Sequence, residues 1–118
     1  MNIFRTRERF GSHLGLKRTE LVCSKLNNPE ERLKFIHIAG TNGKGSVAVM
    51  LSQVLQHAGF KIGLFTSPHL VDYQERFQIN GVPISNADLK KFGDMAKKAV
   101  KQMESAHPEL GQVTEFEL

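Results

Sequence analysis

The sequence has one cysteine, Cys23, and no apolar run of the ~18 residues a membrane helix requires. A lone cysteine forms no internal disulfide. That excludes a disulfide scaffold and points to a reducing compartment. Residues 1–10 carry Arg5, Arg7 and Arg9 with no apolar core behind them, so they do not form a secretory signal. With no targeting segment and no membrane span, the default location is the cytoplasm. Internal repeats and low-complexity tracts are absent too. At 40% hydrophobic and 24% charged, the composition is that of an ordinary soluble globular protein, and it excludes a collagen-like or wholly disordered chain. A length of 118 residues suits one domain.

The charge is unevenly placed. Of 16 basic and 12 acidic residues, residues 1–34 hold eight basic and four acidic, and the remainder holds eight of each. The whole excess of +4 therefore precedes residue 35. A basic lead-in can meet an anion. No aromatic residues interleave with those charges as a nucleic-acid stacking surface would require, so the expectation is no nucleic acid and no membrane partner.

Residues 1–34 read as a basic helical lead-in. Leu14, Leu16, Leu21, Val22 and Leu26 are spaced as on a helix, and Asn27, Asn28 and Pro29 end it. Phe35 to Ala39 is a short apolar run closed by Gly40, the pattern of a buried strand in a parallel sheet. On this reading His37 is packed and hydrogen-bonded. Val47, Met50, Leu51, Val54, Leu55 and Ala58 recur at helical spacing before Gly59. Ile62 to Thr66 reads as a second buried strand. Strand, helix, strand over residues 35–66 predicts a βαβ unit with a right-handed parallel crossover.

Residues 67–84 change character. A polar loop leads to two apolar segments flanking Asn80–Gly81, a strong hairpin signal, with Pro83 confining its strand to a sheet edge. Ser85-x-x-Asp88 opens a helix over 85–105. Leu89, Phe92, Met95, Ala96, Ala99, Val100 and Met103 form its apolar face, and Lys90, Lys91, Lys97, Lys98 and Lys101 form a solvated one. Residues 113–118 begin a new element and stop, so the expectation is a truncated chain.

The chemistry concentrates at Gly40-Thr41-Asn42-Gly43-Lys44-Gly45-Ser46, between the first apolar run and the long helix. Glycines let backbone N–H groups turn inward without a Cβ in the way. The helix start adds unpaired N–H donors and a partial positive charge. Lys44 adds a full charge for the β- and γ-phosphates, and the Ser46 hydroxyl is within reach of Mg²⁺. The spacing departs from the common phosphate loop: two residues, not four, separate Gly40 from Gly43, and Gly45 follows the lysine.

The run His37 to Ser46 closely resembles the nucleotide loop of the folylpolyglutamate and dihydrofolate synthases, within the Mur ligase superfamily. That family writes the loop Gly-Thr-Asn-Gly-Lys-Gly-Ser/Thr. Gly63-Leu64-Phe65-Thr66-Ser67-Pro68-His69-Leu70 resembles a second family signature. Glu75–Arg76 with Ile79-Asn80-Gly81 resembles a third, and Thr114-x-Phe116-Glu117 the start of a fourth. The resemblance implies an α/β fold: the P-loop-containing parallel βαβ core of a Mur-ligase-type ATPase domain, incomplete in this chain.

It also implies an ATP- and Mg²⁺-dependent ligase joining L-glutamate to dihydropteroate or a reduced folate through an acyl phosphate, monomeric in its complete form. Asn42, Gly43, Lys44, Gly45 and Ser46 would bind nucleotide, with Lys44 catalytic. Ser67, Glu117 and Ser46 would serve the metal, Glu115 competing with Glu117. Arg18, Pro68, His69 and Asp72 would contact the pteroyl substrate. The 118 residues alone are expected to be inactive, because a later histidine ligand, a modified lysine and a C-terminal domain are missing. Two alternatives stand beside this reading: a stand-alone nucleotide-binding or regulatory module, and a cell-wall Mur ligase relative.

Overall fold

The computed structural model describes residues 15–68 and 71–114. They resolve into two compact units. One is formed by the described residues up to Lys34 and from Lys90 onward, the other by Phe35–Leu89.

In the first unit, helix α1 (Lys17–Lys25) is followed by a 3₁₀ turn at Pro29–Arg32. Asn27 and Asn28 adopt positive φ at the junction, a conformation asparagine tolerates better than most residues. Most of helix α3 (Asn86–Ala106) and a 3₁₀ turn at Pro108–Leu110 complete the unit. Val22 of α1, Ala99, Val100 and Met103 of α3, and Val113 form its core, with Leu21, Leu26 and Leu110 packed against them. Met103 and Val100 are fully buried, and each such side chain contributes about 1.5–3 kcal/mol. The lysine face of α3 is exposed, and Lys90 pairs with Asp94 at 2.9 Å.

The second unit holds helix α2 (Lys44–His57) and a three-stranded sheet of order β1-β2-β3: β1 (Gly63–Phe65), β2 (Phe77–Ile79) and β3 (Val82–Pro83). Both pairings are antiparallel, with Phe65 opposite Phe77 and Ile79 opposite Val82. The hairpin turns at Asn80 (φ 48°) and Gly81 (φ 77°), the two left-handed positions a type I′ turn needs. Asn80 also fastens the turn to β1. Its N–H donates to the Ile62 carbonyl at 2.8 Å, and its Oδ1 accepts from the Ile62 N–H at 2.8 Å. Pro83 lies in the edge strand β3. Ser85 opens α3 as its spacing predicts: the Asp88 N–H donates to Ser85 Oγ at 3.0 Å, and the hydroxyl donates back to Asp88 Oδ2 at 2.8 Å.

The molecule mixes helix and strand, as expected for its class, but the parallel pairing of residues 35–39 with 62–66 is not found among the described residues. Residues 35–39 form no strand, and Phe35 and Ile36 are 69% and 64% exposed. An apolar run becomes a strand only where a neighbour takes up its backbone groups, and none does so among the described residues. His37 is exposed rather than packed. The second expected strand does form, as β1, but its partner is the antiparallel β2, and Phe65 is 62% exposed. Met50 and Val54 on α2 are also exposed.

Candidate functional site

The glycine-rich loop enters α2 through two unusual backbone positions. Gly40 has φ 154°, and Gly43, the residue capping the helix start, has φ 77° and ψ 1° in the left-handed region. L-residues visit that region at a cost of about 1–2 kcal/mol, which accounts for glycine at 43. Among the described residues, no side chain caps the first turn of α2. Its leading amides lack an intrahelical partner and have the helix dipole behind them.

Lys44 is exposed and curls back over the loop. Its Nζ donates to the Gly40 carbonyl at 2.5 Å and to the Thr41 carbonyl at 3.3 Å. Positive charge thus sits on the loop carbonyls of Gly40 and Thr41. Gly45 is different from Gly43, because its φ lies outside the left-handed range and it sits within α2. A Cβ built there would meet nothing within 4 Å. Neither backbone conformation nor packing asks for glycine at 45, and glycine inside a helix costs about 1 kcal/mol relative to alanine.

The other expected site residues are distributed as follows. Ser46 lies in the first turn of α2 and Ser67 just after β1, both exposed. Pro68 is exposed and joined to Ser67 by a cis peptide bond. Asp72 is exposed and precedes a 3₁₀ turn at Tyr73–Arg76. His69, Glu115 and Glu117 lie outside the described residues. Among the described residues, no group of three or more His, Cys, Asp or Glu is arranged to hold a metal ion. Arg18 is 6% exposed in the first unit, and its Nη1 donates to the Leu110 carbonyl at 3.0 Å.

One residue that sequence reasoning quoted without a role is Glu75. Its Oε1 accepts from the N–H groups of Asp72 (2.9 Å) and Val71 (3.1 Å). The Asp-x-x-Glu spacing is the signal that was available, since a capping box places an acceptor three residues after the cap.

Known proteins resemble this chain in sequence and backbone. The chain is 38% identical over 112 residues to the dihydrofolate synthase/folylpolyglutamate synthase of Bacillus subtilis, covering 95% of this chain and 26% of that protein. It is 41% identical over 105 residues to the dihydrofolate synthetase of Saccharomyces cerevisiae, covering 89% and 23%. This chain is a homologue of part of the folylpolyglutamate and dihydrofolate synthases. It spans about a quarter of the length of those relatives. The backbone agrees. A folylpolyglutamate synthase solved as an FPGS–AMPPCP–folate complex superposes with a TM-score of 0.89 at 32% identity, over 97% of this chain and 28% of that one. The Mycobacterium tuberculosis folylpolyglutamate synthase, complexed with ADP and AMPPCP, gives a TM-score of 0.80 at 33% identity, over 87% and 23%. No family model matches the chain.

Proposed function

We propose that this chain supplies the phosphate-binding part of an ATP-dependent ligase that adds L-glutamate to dihydropteroate or to a reduced folate (poly)glutamate. The observation that carries the reading is the loop at 40–46, where left-handed Gly43, uncapped amides and the Lys44 ammonium come together. Gly45 adds to it. Nothing among the described residues requires glycine there, whereas a phosphate lying against the loop would. Relatives with this backbone are described with AMPPCP, ADP and folate, which supports the same ligand classes here.

The chemistry asked of the chain is neutralisation and alignment. An acceptor carboxylate oxygen bonds to the γ-phosphorus of ATP as the bond to ADP breaks, giving an acyl phosphate. The amine of glutamate then attacks the acyl carbon, phosphate leaves, and the amine loses a proton. Charge developing on the transferring phosphoryl group would be met by Lys44 and the amides of Asn42 to Ser46. Ser46, Ser67 and Glu117 would offer hard oxygen atoms to Mg²⁺, which would supply positive charge against the phosphates. Pro68, His69 and Asp72 would meet the pteroyl acceptor.

Ligation assays and Mg-ATP calorimetry test this on the complete protein that carries the chain and on the 118 residues alone. Glutamate ligation by the complete protein, with none by the 118 residues, is the expected result. Tight Mg-ATP binding with no ligation in either would favour a nucleotide-binding module instead.

A further inference from the structure

We infer that Glu75 is a positioning residue that fixes the backbone of Val71 and Asp72, so that Asp72 is set to meet the pteroyl acceptor. The inference rests on the acceptor role proposed for Asp72. Glu75 is half-buried, and one of its carboxylate oxygens accepts two successive backbone N–H groups, those of Val71 and Asp72. The turn is closed in return by its own N–H, which donates to the Asp72 carbonyl at 3.1 Å.

The clamp reaches beyond its own turn. The Gln78 side chain donates to the Glu75 carbonyl at 3.1 Å, and the Thr66 N–H donates to the Arg76 carbonyl at 3.1 Å. Thr66 directly precedes Ser67, so the turn held by Glu75 is tied to the residue next to a proposed metal ligand. Gln74 is hydrogen-bonded to Asn86 at the start of α3. The Arg76 guanidinium lies 4.8 Å from the Tyr73 ring centroid, and Tyr73 and Phe65 both pack against Phe77. Hydrogen bonds to a charged acceptor are the strong ones available, and small misplacements of a binding loop weaken binding steeply.

The test compares wild type, Glu75→Ala and Glu75→Gln in the complete protein, with two readouts. The first is the rate of trypsin cleavage after Arg76. The second is the KM for the pteroyl acceptor set against the KM for ATP. Glu75→Ala is expected to speed cleavage and raise the acceptor KM by about tenfold each, as loss of charge-assisted hydrogen bonds implies, while the KM for ATP stays within about twofold. Glu75→Gln keeps an acceptor oxygen at the same place and is expected to recover most of both effects.

Wild-type cleavage in Glu75→Ala would overturn the inference. So would an ATP KM that rises as far as the acceptor KM with no rescue by glutamine, since that is general destabilisation. Fast cleavage with an unmoved acceptor KM would separate the loop from the acceptor and also overturn it. A wild-type protein that ligates nothing would instead sink the proposed function, and the cleavage rates would still decide whether Glu75 holds the loop.

Discussion

The ammonium of Lys44 lies 2.5 Å from the carbonyl oxygen of Gly40, four residues back along the chain. A lysine has three N–H donors. Two are spent on the carbonyls of Gly40 and Thr41, which leaves one for an incoming phosphate. The charge is therefore already in place before nucleotide arrives. Lys44→Ala is expected to lower kcat for ligation by about 10²–10³-fold or more, the scale for losing one donor to a developing oxyanion. Its melting temperature should hardly move, because the side chain is exposed and touches only loop carbonyls. Steady-state kinetics beside a circular dichroism melt would settle the point, and wild-type kcat would remove Lys44 from the chemistry.

Gly43 and Gly45 should respond differently to alanine. At Gly43 the left-handed backbone penalises a Cβ, so Gly43→Ala is expected to cost about 1–2 kcal/mol of stability. At Gly45 the backbone is helical and the space is open, so Gly45→Ala is expected to be neutral or to stabilise by up to about 1 kcal/mol. It should nevertheless weaken Mg-ATP binding. Chemical denaturation and calorimetry on both variants check the contrast. Undiminished ATP affinity in Gly45→Ala would mean no ligand lies against that position.

The core of the first unit offers a stability test far from the loop. Met103 is fully buried among Val22, Val100 and Val113. Met103→Ala is expected to destabilise by about 2–5 kcal/mol, through lost burial and the cavity left behind. Urea titration of the complete protein measures it, and a loss under about 1 kcal/mol would show that the surroundings collapse to fill the gap.

Cys23 should be a slow nucleophile. Burial pushes its thiol above the ordinary range, and hydrogen bonding and charge from Glu30 push the same way. The folded state thus holds the thiol proton more tightly than the unfolded chain. The resulting stabilisation is full below the thiol's ordinary pKa of about 8.5 and is lost as pH rises through the higher folded value. Iodoacetamide labelling near pH 8 should be slower in the native protein than in urea. Equal rates would contradict the shift.

Several elements were legible because their determinants are local. Asn80–Gly81 specifies its turn through two left-handed residues, and Ser85 with Asp88 specifies a helix start through paired hydrogen bonds. The glycine-lysine loop is likewise a short-range pattern. The run Phe35 to Ala39 was not legible in this way. Its apolarity expresses a tendency to be covered, but pairing depends on another strand, which no local pattern names. The burial of Arg18 is non-local in the same way: its guanidinium donates to a carbonyl 92 residues along the chain. Asp72 and Glu75 show the limit inside the site: their spacing signals a capping box, and only the fold shows that Glu75 also takes up the Val71 N–H.

Pro83 has a consequence for how the small sheet can grow. The Ile84 N–H donates to the Phe77 carbonyl at 2.9 Å, so β3 bonds inward to β2 through its neighbour, and the proline nitrogen belongs to the outer side. That side lacks a donor at the one place where another strand would look for it. The β1 edge carries no proline and, among the described residues, no second neighbour. Among the described residues the sheet is therefore polarised, with β3 the poorer edge for addition and β1 the better one.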